Sequence, residues 1–288
     1  MPIMLDINRI AATTAPNLIR SVKMDDIGYW KELNKDNPIS QHLSFDELDE
    51  NMTGVCVIAF QYNLDYPELP EGCMSISPYY YYANKYYRHY SPLLNELALT
   101  GKIKILKDTH IKSLANLSGI GFYGKNSIIH NERFGSRFFM IALGLYEDTE
   151  WDKLNLETTD CGSCKLCVEA CPTQALSQPY LLSRHQCLRH YMLTGIEMPE
   201  QYKPLMSDRL VGCDICQKAC PKNIRQSEVD RMPDYDREVF EIERYMDNEG
   251  SGLNQMMPQL AEWIGKNYAR ANRVKEQCNN IYSNIKKG

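Results

Sequence analysis

Apolar and polar positions along the first half of the chain follow the patterns of β-strands separated by helices. Residues 54–62 and 137–145 are nearly continuous apolar runs, which predicts two strands buried on both faces. Residues 102–108 alternate between polar and apolar, which predicts a third strand with one face in solvent. Weaker periodic patterns predict one or two helices over residues 1–30 and a helical tail from about Leu260.

A cluster of tyrosines lies between the first two predicted strands, with seven in the fourteen residues 77–90. A helix that begins near Tyr82 and runs to Leu99 fits the later part of this stretch. Because each buried hydroxyl needs a hydrogen-bond partner, the seven phenols do not all belong in an apolar core. Either some of them line a polar cavity, or the helix turns its polar side to solvent.

Eleven cysteines stand out in the 288-residue chain, and eight of them follow a spaced pattern in its second half. The first run has the form C-x2-C-x2-C-x3-C-P, the second has the form C-x2-C-x3-C-P, and one cysteine lies between them. The eight are Cys161, Cys164, Cys167, Cys171, Cys187, Cys213, Cys216 and Cys220. The first run is typical of bacterial ferredoxins that hold two 4Fe–4S clusters, each bound by four thiolates.

The spacing also predicts which thiolates share a cluster. Three cysteines two residues apart turn onto one cluster, whereas the fourth, followed by proline, points away and binds the other cluster. One cluster is thus expected to take Cys161, Cys164, Cys167 and Cys220. The other is expected to take Cys171, Cys187, Cys213 and Cys216. Structural zinc is the alternative for paired C-x2-C motifs, although zinc sites need neither the Cys-Pro endings nor the x3 spacing.

Composition limits the expected compartment and partners. Asp6 and Arg9 interrupt the first apolar residues, so we expect no signal peptide, and no apolar run reaches the length of a membrane-spanning helix. We therefore expect a protein of the reducing cytoplasm, with no membrane partner. The net charge is −5, so the basic excess typical of nucleic-acid binders is absent, and any RNA contact would use a local patch.

Two shorter stretches suggest chemistry. Asp108 ends the third predicted strand, and α/β folds place catalytic groups at strand ends, so Asp108 is a candidate proton donor. The alternative is that it only caps the next helix. Residues 119–126 contain three glycines within six residues, then Lys125 and Asn126, which indicates backbone held close to a bulky or anionic group. Their spacing matches neither a dinucleotide-binding fingerprint nor a phosphate-binding P-loop.

Together, these parts resemble the epoxyqueuosine reductase family, the cobalamin- and iron–sulfur-dependent enzymes of the last step in queuosine synthesis. Residues 119–126, Gly-Ile-Gly-Phe-Tyr-Gly-Lys-Asn, are similar to the family's G-x-G-W-I-G-K-N, and residues 134–139 to its Y/F-G-S-x-F-F. Residues 209–217 match its R-x-x-G-C-D-x-C-Q, and Asp108 falls where the family carries V-D-T/S-A-P. The chain departs from the family at His110 and Ile111, in the tyrosine run, and in a helical C-terminus reduced to about one hairpin.

The resemblance implies an α+β fold in three parts. These are an N-terminal, nitroreductase-like α/β domain that binds cobalamin (residues 1–155), a ferredoxin-like domain with two 4Fe–4S clusters (156–225), and a short helical tail (226–288). Asp108 is the implied proton donor, and it must hold a proton near neutral pH, a state that burial favours. The implied cobalamin-binding residues are Gly119, Gly121, Tyr123, Gly124, Lys125, Asn126, Ser136 and Phe138.

By this resemblance, an external low-potential donor would send electrons through the clusters to cobalamin, and the epoxide of epoxyqueuosine in tRNA would be reduced to queuosine. One alternative is a corrinoid and iron–sulfur reductase of a small molecule, like a reductive dehalogenase with a tyrosine proton donor, which the shortened tail and acidic composition favour. The other is a non-catalytic electron carrier of the ferredoxin type. The long first part of the chain, which a ferredoxin does not need, argues against that last reading.

Overall fold

The computed structural model describes residues 3–13, 16–33, 35, 45–154, 161–224, 227–246 and 251–287. In these residues the α-helices are α1 (Ile3–Ala11), α2 (Met24–Leu33), α3 (Pro78–Ala98), α4 (Ile111–Leu117), α5 (Leu166–Glu169), α6 (Leu188–Thr194), α7 (Ile215–Lys218), α8 (Arg237–Phe240), α9 (Ser251–Ile264) and α10 (Ala271–Lys287). The strands are β1 (Asn17–Lys23), β2 (Gly54–Gln61), β3 (Ser75–Ile76), β4 (Ile103–Leu106), β5 (Phe122–Tyr123), β6 (Ile129–His130), β7 (Phe138–Leu145) and β8 (Arg209–Val211).

The main sheet has four strands in the order β1-β2-β7-β4, and every neighbouring pair is antiparallel. Ile58 of β2 pairs with Ile141 of β7, and Leu143 of β7 pairs with Ile105 of β4. Because the sheet is antiparallel, its strands do not share a carboxyl edge as the strands of a parallel sheet do. The sheet therefore gives no support of this kind to Asp108, whose catalytic role stays a prediction.

The central strand β2 separates two apolar layers. All eight of its residues are buried, as the continuous apolar run predicts. Because side chains alternate across a strand, Ile58 and Phe60 face one core with α1 and α3, whereas Val57 and Ala59 face the other with α2 and α4. The sheet is thus covered by helices on both sides.

The strand predictions for residues 54–62, 102–108 and 137–145 are confirmed as β2, β4 and β7, each with ends moved by a few residues. The prediction of one or two helices over residues 1–30 is confirmed by α1 and α2, but it missed β1, which lies between them. This edge strand is mostly half-buried and carries no clear alternation that would have revealed it. The tail is the helical hairpin of α9 and α10, and α9 begins at Ser251, earlier than predicted.

Helix α3 begins at Pro78, four residues before the predicted start at Tyr82. Proline suits the first position of a helix, because its fixed φ is helical and the N–H that it lacks would be unpaired there. The tyrosines of this helix are not all in the same kind of environment. Tyr87 is 60% exposed, whereas four others are buried in the core. The hydroxyls of these four all have hydrogen-bond partners, and the four are Tyr80, Tyr82, Tyr86 and Tyr90.

One hydrophobic core joins the three parts of the predicted domain division. It contains Ile7 from the first part, Leu210 from the second and Ile281 from the tail. Strand β3 also pairs in parallel with β8, which connects the first part to the second. The predicted junctions at residues 155/156 and 225/226 lie outside the described residues. Within those residues, no helix has the length and apolarity to cross a membrane.

Candidate functional site

Two groups of four cysteines meet in the fold, in the combination that the sequence spacing predicts. The first thiol set surrounds a cavity of about 50 Å³ and consists of Cys161, Cys164, Cys167 and Cys220. The second thiol set lies in the wall of a larger cavity and consists of Cys171, Cys187, Cys213 and Cys216. Each set therefore includes one cysteine from the other run, and in both cases that cysteine is the one followed by proline.

Local turns place the cysteines. The N–H of Cys164 donates to the carbonyl of Cys161 over 3.1 Å, so the first run turns before the one-turn helix α5 begins. Helix α7 repeats this arrangement in the second run, and α5 packs against α7. Each short helix ends just before its last cysteine, Cys171 or Cys220. The paired helices bring the two runs together, so the last cysteine of each run meets the other run.

Structural zinc is the alternative metal for these thiols. Four sulfurs around one zinc ion lie about 4 Å from each other, because each Zn–S bond is about 2.3 Å long. Within the described part of the chain, no three His, Cys, Asp or Glu side chains converge closely enough to hold one metal ion. The spacing of the eight cysteines and the two Cys-Pro endings fit two iron–sulfur clusters.

Burial makes free thiolates unfavourable in the second thiol set. It raises the pKa of Cys213 to about 11, and it is the largest cause that raises the pKa of Cys216 well above the usual value. The neighbouring cysteines add to the increase for Cys216 by charge repulsion. Thiolates in such surroundings need a cation, because metal binding is what removes the thiol proton. The donor set therefore fits iron ligation.

The larger cavity, called here the central cavity, has a volume of about 380 Å³. Phe138 and Met140 of β7 line it from the sheet, and the second thiol set lines it from the other side. Polar groups in its wall include Tyr62, Ser77, Tyr79, Lys112, Asn126, Ser136, Arg189, Asp214 and Gln217. An apolar floor with polar groups around it suits a large ligand that is apolar in the middle and polar at its edges.

The eight predicted cobalamin-binding residues do not all reach the central cavity. Three of them, Asn126, Ser136 and Phe138, line it. Tyr123 lies outside, where its hydroxyl is 2.9 Å from the hydroxyl of Ser113. The remaining four are Gly119, Gly121, Gly124 and Lys125, none of which is in the cavity wall.

The glycines serve packing within the protein. An added Cβ at Gly121 would lie 2.1 Å from the carbonyl oxygen of His130, and one at Gly124 would lie 2.5 Å from its ring. Gly119 has a φ of +79°, a conformation that side chains disfavour. In the structure, His130 occupies the space beside Gly121 and Gly124, and a role of these glycines in ligand binding stays a prediction.

Lys125 and Asn126 connect this loop to the two thiol sets. The buried ammonium of Lys125 donates to the carbonyls of Gly162, over 2.5 Å, and Cys164, over 2.8 Å, and so fastens the first cysteine turn. Asn126 lies in the walls of both cavities. Its Nδ2 is buried and finds no hydrogen-bond acceptor among the described residues. A ligand with an amide or phosphate oxygen would supply that acceptor, so the residues present fit a corrinoid.

A second polar group of the wall is already paired. Tyr62 donates from its hydroxyl to Oε1 of Gln217 over 3.1 Å, and Ser136 donates to the same oxygen over 3.0 Å. Asp214 is buried, which raises its pKa, and its carboxylate accepts from Tyr66 and Ser77 over 2.7 and 2.9 Å. These bonds hold the wall in place before any ligand arrives.

Asp108 is exposed and lies outside the central cavity. Its backbone N–H donates to a carboxylate oxygen of Glu47 over 2.6 Å. The next helix, α4, does reach the cavity, through Ile111 and Lys112. The structure therefore does not bring the predicted donor together with the other site residues.

Sequence reasoning missed Lys112 and Arg189. They lie in separate stretches of the sequence, and only the tertiary fold brings them to one cavity. The position of Arg189 two residues after Cys187 was the only available signal, because a cluster ligand places its chain neighbours near the site.

Comparison with known proteins agrees with these observations. The family model described as "4Fe-4S double cluster binding domain" matches residues 160–223. The epoxyqueuosine reductase of Prochlorococcus marinus is 37% identical over 138 residues, which are 46% of this chain and 44% of that protein. The chain thus spans less than half of the curated relative. The resemblance to epoxyqueuosine reductases is confirmed.

Solved structures show the same fold. The epoxyqueuosine reductase of Streptococcus thermophilus matches 99% of this chain and 82% of its own, with a TM-score of 0.75 and 21% identity. A Bacillus subtilis epoxyqueuosine reductase with its catalytic aspartate loop swung out of the active site matches over the same shares, with a TM-score of 0.72 and 17% identity. An epoxyqueuosine reductase with an epoxyqueuosine-modified tRNA-Tyr stem loop also matches over these shares, with a TM-score of 0.73 and 18% identity.

Proposed function

We propose that this protein is an epoxyqueuosine-reductase-like oxidoreductase. Electrons would pass through two 4Fe–4S clusters to cobalamin, and the epoxide of epoxyqueuosine in tRNA would be reduced to queuosine. The observation that carries the proposal is that the second thiol set lies in the wall of the same cavity as Asn126, Ser136 and Phe138. A cluster there would be next to whatever fills the cavity.

The two thiol sets suggest a direction for the electrons. Cys164 of the first set is exposed, so a cluster there is accessible to an external low-potential donor. The second set faces the central cavity. The two sets lie close to each other, since the charge of Cys167 in the first affects the pKa of Cys216 in the second. We therefore assign entry to the first set and delivery to the second.

Cobalamin would lie over Phe138 and Met140, with Asn126 and Ser136 at its polar edge. When bound, it supplies a metal centre that is reduced in one-electron steps, which no side chain can provide. The protein's own residues exclude water with the apolar floor and orient the ligand through the fixed Tyr62, Ser136 and Gln217 network.

Asp108 remains the proposed proton donor, and it requires a movement of its loop. The loop from β4 to α4 is short, and its far end already reaches the cavity at Ile111. The Bacillus subtilis relative, with its catalytic aspartate loop swung out of the active site, supports a second position for such a loop. Inside the cavity, the Asp108 carboxyl group would give its proton to the epoxide oxygen as the C–O bond breaks.

A substitution tests this role. Asp108→Asn keeps the size of the side chain but removes the acid, so turnover should fall by about 10²- to 10⁴-fold while iron and cobalt contents stay unchanged. Lys107→Gln, at the preceding exposed position, is the matched control and should keep its activity. An active Asp108→Asn protein would refute the assignment.

The relative with a modified tRNA-Tyr stem loop supports tRNA as the substrate. The tail of this chain is locally basic, with Lys266, Arg270, Arg273 and Lys275, although the whole chain is acidic. We propose that the hairpin of α9 and α10 contacts RNA, and that the three-part division into cobalamin-binding, ferredoxin-like and tail regions describes the protein. Since tRNA modification and reduced thiols belong to the cytoplasm, we place the enzyme there.

Anaerobic purification tests the proposal as a whole. We expect a brown protein with about eight irons, together with cobalt when cobalamin is added, and an activity that converts epoxyqueuosine to queuosine in tRNA. Mass spectrometry of the digested tRNA measures the product. Iron without cobalt binding would leave a ferredoxin-type carrier, and cobalt binding without activity on tRNA would favour a small-molecule reductase.

A further inference from the structure

We infer that Lys112 and Arg189 form an anion-binding site in the wall of the central cavity, and that its ligand is a phosphodiester. The inference rests on the proposed function, because cobalamin and tRNA, the two ligands proposed for this cavity, both carry phosphodiester groups. It adds a site from two residues that belong to none of the motifs recognised in the sequence.

Lys112 reaches the cavity from α4. Its ammonium donates to the carbonyl oxygen of Ser127 over 2.9 Å, which fixes the direction of the side chain. An ammonium group has three donors, so two remain for a ligand. No carboxylate among the described residues forms an ion pair with it.

Arg189 reaches the cavity from α6, on the side of the second thiol set. Its Nε donates to the hydroxyl of Tyr80 over 2.9 Å, and its guanidinium lies 5.8 Å from the ring centres of both Tyr79 and Tyr80. These contacts hold the group in one orientation. The residue is exposed, and it is one of those that line the central cavity. Four of its five donors stay available to a ligand.

The described residues of the cavity wall include one carboxylate as a counter-charge for these cations. Asp214 is the one carboxylic acid among the lining residues, and Tyr66 and Ser77 already donate to its oxygens. Burial, then the charges of Arg189 and Arg184, lower the pKa of Lys112 to about 8. Two cations that repel each other in a shared cavity are stabilised by an anion between them.

The chemistry of the pair favours phosphate. A guanidinium presents parallel N–H groups that match two phosphate oxygens, and an ammonium adds a compact charge to a third. The rival role for the same residues is charge compensation, because a cluster bound by four thiolates is itself negative. In that case the cations would compensate the cluster and contribute nothing to phosphate binding.

Binding measurements on the anaerobically purified, cluster-loaded protein decide between these roles. The variants are Lys112→Gln and Arg189→Gln, with Arg189→Lys to keep the charge and the exposed Lys107→Gln as control. The probes are inorganic pyrophosphate, cobalamin, cobinamide, which lacks the phosphodiester, and an anticodon stem-loop RNA. Iron content and reduction potential are measured on each variant, so a protein that has lost its fold or cluster is recognised.

We expect each Gln variant to bind a phosphate-bearing probe about tenfold more weakly or worse, while Arg189→Lys loses less and Lys107→Gln loses nothing. Weaker binding of cobalamin but not cobinamide assigns the phosphodiester to the cofactor. Weaker binding of RNA alone assigns it to the substrate. The inference is overturned if the Gln variants bind every phosphate-bearing probe as tightly as the unmodified protein does, or if only the reduction potential changes. It is also overturned if cobinamide binding weakens as much as cobalamin binding. Should the unmodified protein bind neither cobalamin nor RNA, the proposed function fails, and pyrophosphate alone decides on the site.

Discussion

The two thiol sets have the same number and type of proposed ligands, yet their surroundings differ. The first encloses about 50 Å³ near the surface, and Cys164 is exposed. The second opens onto about 380 Å³, and burial raises the pKa of Cys213 and Cys216. The same ligand chemistry is therefore proposed to have two roles that depend on position, with one cluster site accessible to a donor and the other next to a bound ligand.

The largest expected effect comes from removing one ligand of each set in turn. Cys216→Ala and Cys164→Ala should each lower the iron content from about eight to about four per chain, because one cluster is lost and the other keeps its ligands. Cys216→Ala should abolish turnover with any donor. Cys164→Ala should abolish turnover with a protein donor but keep part of it with a small chemical reductant that can enter the central cavity.

Iron and sulfide analysis, electron paramagnetic resonance and both activity assays measure these results. Cys278→Ala, a buried cysteine outside both sets, is the matched control and should keep all its iron. If the two ligand variants respond alike to both reductants, the assignment of entry and delivery is wrong.

A smaller effect should separate the sets through Lys125. Its buried ammonium holds the carbonyls of Gly162 and Cys164, and no equivalent contact to the second set is found in the described residues. Lys125→Met removes two charge-assisted hydrogen bonds, so a chelator should extract the first cluster about tenfold faster or more, and the second at its usual rate. The exposed Lys165→Met in the same turn is the control. Equal loss of both clusters would contradict a local role for Lys125.

The loop that carries Lys125 allows a comparison of two glycines. An added Cβ at Gly124 would lie 2.5 Å from the His130 ring and 2.8 Å from Oδ1 of Asn126, whereas one at Gly28 in α2 meets nothing within 4 Å. Gly124→Ala should lower the free energy of unfolding by about 1–3 kcal/mol, because a tight core must shift. Gly28→Ala should raise it by roughly 0.5–1 kcal/mol, since alanine favours the helix. Denaturant unfolding measures both, and an unaffected Gly124→Ala protein would show that His130 yields easily.

The two sides of the site also differ in how far the sequence predicts them. The cysteine ligands can be predicted from the sequence because their spacing is local, and the turns that this spacing requires form in the same way in many folds. Asn126, Ser136 and Phe138 were found through motif resemblance. The role of the glycines could not be predicted in this way, because a glycine shows only that a side chain would not fit, and the sequence does not say whether a ligand or His130 takes the space.

The two cations of the central cavity wall could not be predicted from local spacing or from motif resemblance. Lys112 and Arg189 lie 77 positions apart on different helices, and neither stretch of sequence indicates that the two residues line the same cavity. Their meeting depends on how α6 packs against the first half of the chain, which is a property of the whole core. Asp108 shows the reverse problem, because its motif marks it as a site residue while the loop holds it in solvent.

The smallest expected effect concerns His110, between Asp108 and Lys112. Burial, then the charges of Lys112 and Arg184, lower the pKa of His110 to about 4, from an ordinary value of 6.5. Between these values the unfolded chain takes up a proton that the folded protein refuses, so stability falls as the pH decreases from about 6.5 towards 4. Above pH 6.5 both states are neutral and His110 has no effect.

His110→Asn removes this titration, and an amide can keep a hydrogen bond to Ser113, whose hydroxyl lies 2.8 Å from the His110 ring. From pH 7 to pH 5, the unfolding midpoint of the unmodified protein should therefore fall more than that of the variant. The exposed His89→Asn serves as control and should follow the unmodified protein. Thermal unfolding of all three at matched iron content gives the comparison. Parallel curves for the His110→Asn and unmodified proteins would mean that His110 is protonated as easily in the fold as in the open chain, and that the cationic wall near the second thiol set exerts no field on it.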